Sequence, residues 1–120
     1  MKRLTEKEEE VMSMIWELGP CSPKDVLEKY AEPKPHINTV ATTFQILERK
    51  GYLSHKQKSR GYQYFPLVER SDYGKSTLGR IVSRLFGESY LNVVSTFVHD
   101  GKCSREELEE MLKQLKEDNN

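Results

Sequence analysis

The first apolar pattern along the chain has helical spacing and is bounded by residues that start and stop helices. Thr5-Glu6-Lys7-Glu8 is a capping box, in which a hydroxyl and a carboxylate each satisfy a backbone amide at the start of a helix. Gly19-Pro20 cannot continue a helix. Between them lie Val11, Ile15 and Leu18, flanked by Met14 and Trp16. The pattern predicts a first helix from about Glu6 to Leu18.

Two further helices are predicted directly afterwards. Ser22-Pro23-Lys24-Asp25 combines a capping serine with a proline at the first helical position, where its missing amide proton costs nothing. A second helix of about two turns follows. The prolines in Ala31-Glu32-Pro33-Lys34-Pro35 then enforce a turn. A third helix is expected from Ile37 or Asn38 to residue 50, closed by Gly51 in a left-handed conformation.

The third predicted helix has two contrasting sides. When each residue is turned by about 100°, Val40, Thr43, Phe44 and Leu47 fall together and predict the buried side. The opposite side carries Asn38, Thr42, Gln45 and Arg49, with Ala41 at its edge. A merely solvated side in so charged a chain would carry Glu and Lys. The small polar residues therefore indicate a surface that approaches another molecule closely, and solvent exposure without function is the alternative.

A β-hairpin is predicted next. Tyr52-Leu53-Ser54-His55-Lys56 and Tyr62-Gln63-Tyr64-Phe65-Pro66 are aromatic-rich segments that flank the basic turn Gln57-Lys58-Ser59-Arg60-Gly61. We expect Tyr52, Tyr62 and Tyr64 to pack over the helices in or near the core, and stacking on bases is the alternative.

Charge is balanced over the whole chain but uneven along it. The 120 residues contain 19 Lys plus Arg and 19 Asp plus Glu, so affinity for nucleic acid has to come from the distribution of charge. Between residues 36 and 70 the anions are Glu48 and Glu69. The cations there are Arg49, Lys50, Lys56, Lys58, Arg60 and Arg70. Positive charge is therefore concentrated where the third helix meets the hairpin.

Helical spacing returns in the C-terminal part. Ser71 or Asp72 can cap a fourth helix that ends near Gly87, a fifth ends near His99, and the capping box Ser104-Arg105-Glu106-Glu107 opens a sixth. A small three-helix domain cannot bury their apolar stripes, so a second copy of the chain is the predicted partner. Folding back as a private subdomain is the alternative. The predicted dimer interface comprises Leu78, Ile81, Val82, Leu85, Phe86, Tyr90, Val94, Phe97, Leu108, Met111, Leu112 and Leu115.

These elements predict a mostly α fold with a small β-hairpin wing. It consists of a winged helix-turn-helix DNA-binding domain over residues 1–70 and a helical dimerisation domain over residues 71–120. The third helix would read base edges in the major groove with Thr42 and Gln45, while Asn38 or Thr39 holds a phosphate at its N-terminus. A charged turn that merely keeps an edge strand soluble is the alternative for the hairpin. The predicted DNA-binding residues are Asn38, Thr39, Ala41, Thr42, Gln45, Arg49, Lys56, Lys58 and Arg60.

Other function classes find little support in the sequence. His36, His55 and His99 lack a partnered nucleophile in a recognisable motif, and we expect neither an enzyme nor a cofactor. Cys21 and Cys103 lack metal-ligand spacing and are expected to be free thiols rather than a redox or metal sensor. The charged N-terminus and the lack of a long apolar run predict a cytoplasmic protein that does not insert into membranes.

Several segments occur together in an order and spacing typical of one family. They are Leu4-Thr5, Glu10-Val11-Met12, Ile15-Trp16, Gly19, Thr39-Val40, Leu47-Glu48-Arg49-Lys50-Gly51-Tyr52-Leu53 and Gly61-Tyr62-Gln63-Tyr64-Phe65-Pro66-Leu67-Val68. In these segments the chain resembles, over nearly its whole length, the penicillinase repressor family (the BlaI, MecI and CopY repressors). The resemblance implies a homodimeric transcriptional repressor with winged helices and intertwined C-terminal helices. The recognition helices of a two-fold dimer would pair with a palindromic operator on double-stranded DNA. A winged-helix module that binds protein rather than DNA is the alternative.

Two departures from the family pattern concern the inducing signal. Antibiotic-sensing members are cleaved at an Asn-Phe bond after a membrane sensor protease is activated, and the corresponding pair here is Thr96-Phe97. The resemblance makes this pair the candidate cleavage site and such a protease a candidate partner, but the missing asparagine argues against cleavage there. Copper-responsive members carry Cys-x-Cys pairs near the C-terminus, and residues 106–120 contain no cysteine. Induction by proteolysis and induction by a ligand both stay open.

Overall fold

The computed structural model describes the backbone of residues 1–118 and the side chains of residues 1–110 and Lys113. This part of the chain forms two compact units, residues 1–76 and the residues from 77 onward. The first unit ends past residue 70, where the sequence pattern placed the boundary. The elements are α1 (Glu6–Leu18), α2 (Pro23–Lys29), α3 (Ile37–Arg49), β1 (Leu53–Lys58), β2 (Gly61–Pro66), α4 (Arg70–Leu85), α5 (Tyr90–His99) and α6 (Arg105–Asp118).

The three helices predicted in the first unit are confirmed, although α3 ends at Arg49 rather than at residue 50. Thr5 and Glu8 exchange the two hydrogen bonds of a capping box, each 3.2 Å long. Ser22 and Asp25 do the same at α2, with bonds of 2.9 and 3.3 Å. Gly51 has a φ of 88°, the left-handed conformation that lets the chain leave α3 and enter the hairpin.

The hairpin is a two-stranded antiparallel sheet that is tied to the helices at its base. Leu53 pairs with Pro66 and Lys58 with Gly61, which fixes the turn at the predicted basic residues. Cys21 adds an antiparallel bridge to Tyr64, with backbone hydrogen bonds of 2.8 and 2.9 Å. The segment between α1 and α2 therefore anchors β2.

The core of the first unit lies between α1, α2, α3 and the base of the hairpin. The first turn of α4 completes it, because Tyr73 is buried with its ring 5.9 Å from Trp16 and 5.7 Å from Tyr52. The Trp16 indole also donates a 2.9 Å hydrogen bond to the carbonyl of Val68. The buried apolar residues are Val11, Met12, Ile15, Cys21, Val26, Val40, Phe44, Leu47, Tyr52, Leu53, Tyr64 and Tyr73.

One of the three tyrosines expected in or near the core is not there. Tyr52 and Tyr64 are buried, but Tyr62 is 54% exposed, so that part of the prediction is wrong. Its register partner Gln57 lies in the outer part of the hairpin, beyond the helices that would cover it. The Tyr62 ring instead lies 4.5 Å from the ring of His55.

The second unit contains the rest of α4 together with α5 and α6. Among its described side chains, Val82 and Val93 are the buried apolar ones. Ser89 caps α5 by accepting a 3.1 Å hydrogen bond from the amide of Asn92, and Ser104 does so at α6 for the amide of Glu107. None of the helices in the described residues has the length and apolar character needed to cross a membrane.

Candidate nucleic-acid interface

The side of α3 that was predicted to face a ligand is open to solvent. Val40, Phe44 and Leu47 pack into the core. Because the opposite side of the helix turns away from that core, its side chains remain accessible. Asn38, Thr39, Thr42, Gln45 and Arg49 are exposed, and Ala41 is half-buried.

The N-terminus of α3 is closed by a residue that the sequence analysis did not single out. The Nδ1 atom of His36 accepts a 3.0 Å hydrogen bond from the amide of Asn38, while the His36 carbonyl accepts from the amides of Thr39 and Val40. Sequence reasoning expected Asn38 or Thr39 to hold a phosphate there. Because their amides already have partners, their side chains are the groups left for that contact. The position of His36, directly before the helix, was the signal that could have identified it as a cap.

The two faces of the hairpin differ in what they contact. On one face, Tyr64 packs edge-on against Phe44 of α3 with ring centroids 5.0 Å apart. His55, on the same face, lies with its Nδ1 atom 2.6 Å from the Oε2 atom of Glu48. Successive side chains of a strand alternate, so Lys56 and Lys58 belong to the other face, where the Lys56 ammonium lies 5.6 Å from the centre of the Phe65 ring.

The cations of this region divide into exposed and engaged groups. Arg49, Lys56, Lys58 and Arg60 are exposed. Lys50, by contrast, is ion-paired with Glu8 and donates a 2.9 Å hydrogen bond to the carbonyl of Arg3.

Arg70 is exposed but also contacts α1. Its guanidinium lies 5.8 Å from the Trp16 ring, and it donates a 3.3 Å hydrogen bond to the carbonyl of Ser13. The four cations predicted to bind DNA are thus exposed, and Arg70 is exposed as well.

The residues predicted to form a dimer interface fall into three groups. Val82 is 1% exposed and belongs to the core of its own unit, while Phe86 and Leu108 are half-buried. The side chains of Met111, Leu112 and Leu115 lie outside the described residues. The exposed members are Leu78, Ile81, Leu85, Tyr90, Val94 and Phe97. Leu91 and Val98 of α5, which were not in the predicted set, are exposed as well.

The candidate cleavage site lies inside a helix. Thr96 and Phe97 are both exposed, and the Thr96 hydroxyl donates a 2.8 Å hydrogen bond to the carbonyl of Asn92 one turn earlier. Cleavage at this bond would therefore require α5 to unwind locally.

The cysteines and possible metal ligands add no further chemistry in the described residues. Burial raises the pKa of the Cys21 thiol to about 11, and the nearby Asp25 carboxylate adds to this shift. The thiol is therefore protonated at neutral pH. Among the side chains of residues 1–110 and Lys113, no group of three or more His, Cys, Asp or Glu is placed to hold a metal ion.

Three helices followed by a hairpin whose base is bridged to the α1–α2 connection define a winged helix-turn-helix protein. A model of the penicillinase repressor family matches residues 4–117, and the chain belongs to that family. It is thus a transcriptional repressor of the winged-helix type, and the fold and family predicted from the sequence are confirmed.

Named relatives agree with this assignment. The methicillin resistance regulatory protein MecI of Staphylococcus aureus strain N315 is 28% identical over 109 residues, which cover 90% of this chain and 89% of the relative. The MecI protein of Mammaliicoccus sciuri is 27% identical over 109 residues, with the same coverage. The penicillinase repressor of Bacillus licheniformis is 25% identical over 119 residues, which cover 98% of this chain and 93% of the relative.

Proposed function

We propose that this repressor binds double-stranded DNA as a homodimer, with α3 in the major groove of each half of a palindromic operator. The observation that carries the proposal is the outer side of α3, which is exposed, polar and small while the opposite side forms the core. A major groove about 12 Å wide admits a helix whose outer side chains are of this size.

Base recognition is assigned to the middle of α3. Gln45 can bond an adenine through both of its amide groups, and Thr42 can bond a base edge or contact the methyl group of thymine. Ala41, beside them, keeps the helix surface low enough for close approach. Asn38 and Thr39 contribute side-chain contacts at the helix N-terminus, because their amides are used by the His36 cap.

Affinity is assigned to the exposed cations. Lys56, Lys58 and Arg60 on the hairpin and Arg49 at the end of α3 would contact the DNA backbone, which carries no sequence information. Each neutralised phosphate releases bound counterions, so these residues set the salt dependence of binding.

Dimerisation is assigned to α4 and α5 of the second unit. Leu85 and Leu91 are each 75% exposed, and the other exposed large apolar side chains described in the second unit lie on the same two helices. Monomeric proteins rarely expose large contiguous apolar patches, and a second copy can cover such a set with two-fold symmetry. Cleavage by a protease at Thr96-Phe97, which requires α5 to unwind locally, would separate the dimer. A ligand would have to act on the intact helices.

The hairpin assignment is tested with the double variant Lys58→Ala and Arg60→Ala. We expect the plot of log affinity against log salt concentration to become shallower by about 2, on any duplex sequence, because two phosphate contacts are lost. The matched control is Lys113→Ala with Lys102→Ala, which removes the same charge from the second unit. Gel-shift titrations at several salt concentrations measure both, and an unaltered slope in the hairpin variant would disprove the contact.

The alternative is a winged-helix module that binds protein rather than DNA. The salt dependence of binding separates the two, because a protein partner does not release a condensed counterion atmosphere as DNA does. If the wild-type chain shows no salt-dependent binding to duplex DNA, the alternative replaces the proposal.

A further inference from the structure

The contact between Glu48 and His55 joins the recognition helix to the hairpin. Glu48 lies in the last turn of α3, one turn beyond Gln45 and on a neighbouring part of the helix surface. Its Oε2 atom lies 2.6 Å from the Nδ1 atom of His55, in the middle of β1. The two residues thus connect the element assigned to base recognition with the element assigned to the DNA backbone.

His55 stands where the hairpin leaves the body of the domain. Its register partner Tyr64 is buried against Phe44 and bridged to Cys21. Residues 56–62 are all exposed, and Gln63 is half-buried. A two-stranded hairpin is marginally stable by itself, so its orientation depends on the side chains that fix it to the rest of the protein.

We propose that Glu48 is a positioning residue for DNA binding, which acts through His55 to hold the hairpin where its cations reach the DNA backbone. The proposal rests on the proposed function, because it presumes that Lys58 and Arg60 contact phosphates. A carboxylate beside a DNA interface otherwise opposes binding by repulsion. The hydrogen bond to His55 would instead let the Glu48 carboxylate favour binding. Removing Glu48 is therefore expected to weaken DNA binding, whereas removing a merely repulsive carboxylate would strengthen it.

The test measures the affinity for a mixed-sequence duplex, since phosphate contacts do not depend on sequence. Alanine is a strong helix former and valine a strong strand former. Glu48→Ala and His55→Val therefore each remove the contact with little change in local propensity. Fluorescence anisotropy at several salt concentrations yields the slope of log affinity against log salt. We expect each variant to bind more weakly than wild type, with a slope shallower by about 1. The ratio of its Kd to the wild-type Kd should therefore fall about fourfold between about 50 and 200 mM salt.

Two further measurements separate positioning from other effects. Glu48→Gln keeps an oxygen that can accept from His55 and is expected to restore most of the slope. In the background of Lys56→Ala, Lys58→Ala and Arg60→Ala together, Glu48→Ala is expected to leave the slope unchanged, because the hairpin contacts that it positions are already gone. The exposed Glu28 on α2 supplies the charge control, Glu28→Ala.

The contrary outcomes are distinct. A Kd raised by the same factor at every salt concentration would mean that Glu48 affects only the folded fraction, and the proposal would be wrong. Tighter binding in both Glu48→Ala and Glu28→Ala would mean that the carboxylate merely repels DNA, which also overturns it. If Lys58→Ala with Arg60→Ala itself leaves the slope unchanged, the assignment of the hairpin fails first and this inference fails with it.

Discussion

The ammonium group of Lys50, directly after α3, forms an ion pair with the carboxylate of Glu8, in the first turn of α1. Glu8 is 7% exposed and Lys50 is half-buried, so this partly buried pair connects the end of α3 to the first turn of α1. Burial by itself raises the pKa of Glu8. The hydrogen bond and charge of Lys50 and the hydrogen bonds of Thr5 outweigh burial, so the pKa lies below its usual value of 4.5.

Glu8→Gln should lower the free energy of unfolding by about 2 kcal/mol at neutral pH, because it removes a charged hydrogen bond but keeps the capping box. The contribution of a carboxylate with a lowered pKa is complete above its unfolded value and is lost as pH falls through the folded one. The difference from wild type should therefore shrink below pH 4.5. Urea denaturation over a pH series measures it, with the exposed Glu6→Gln as control. A difference that does not change with pH contradicts the assignment.

Tyr73→Ala should destabilise the first unit by about 3 kcal/mol, because it removes a buried ring from between Trp16 and Tyr52. Tyr73→Phe keeps the ring and loses the hydrogen bond to Glu9, so it should cost about 1 kcal/mol. Thermal unfolding of the full chain compares the two variants. Equal losses would show that the ring itself contributes little.

Gln45→Ala should change which sequences are bound rather than how strongly DNA is bound in general. We expect discrimination of about 1–3 kcal/mol to be lost at one base pair in each half-site, with an unchanged salt slope. Selection from random duplexes, followed by titration of the recovered sites, measures this. Lys58→Ala is the control, since it should weaken all sites alike. Identical selected sequences for wild type and Gln45→Ala would remove Gln45 from base recognition.

Leu85→Asp or Leu91→Asp should give monomers, because each places a charge in the exposed apolar set of α4 and α5. Phe97→Asp should act in the same way. Ser83→Asp adds the same charge at an exposed polar position of α4 and should leave the dimer intact. Sedimentation equilibrium gives the molecular mass, and a dimer that persists in all the apolar variants would refute the interface.

The local part of the fold could be predicted because its signals are local. The capping boxes at Thr5 and Ser22, the stop at Gly51 and the turn near Arg60 each depend on a few neighbouring residues. Periodicity also separated the two sides of α3, since a regular helix fixes the direction of every side chain from its spacing. The exposed character of Thr42 and Gln45 followed from the same rule.

Contacts between distant segments were beyond this reasoning. Nothing near Lys50 in the sequence marks Glu8 as its partner. The sequence pattern therefore placed Lys50 among the cations where the third helix meets the hairpin. The link between Glu48 and His55 joins two elements, and the exposure of Tyr62 depends on how far the hairpin extends past the helices.

The sequence by itself therefore determined the elements, their order and the polar side of α3, because backbone propensity and side-chain spacing act within a few residues. The tertiary structure decided that Lys50 pairs with Glu8, which face of the hairpin meets α3, and that Tyr73 belongs to the first unit. These depend on packing, in which partners are chosen by distance in space across segments far apart in the chain.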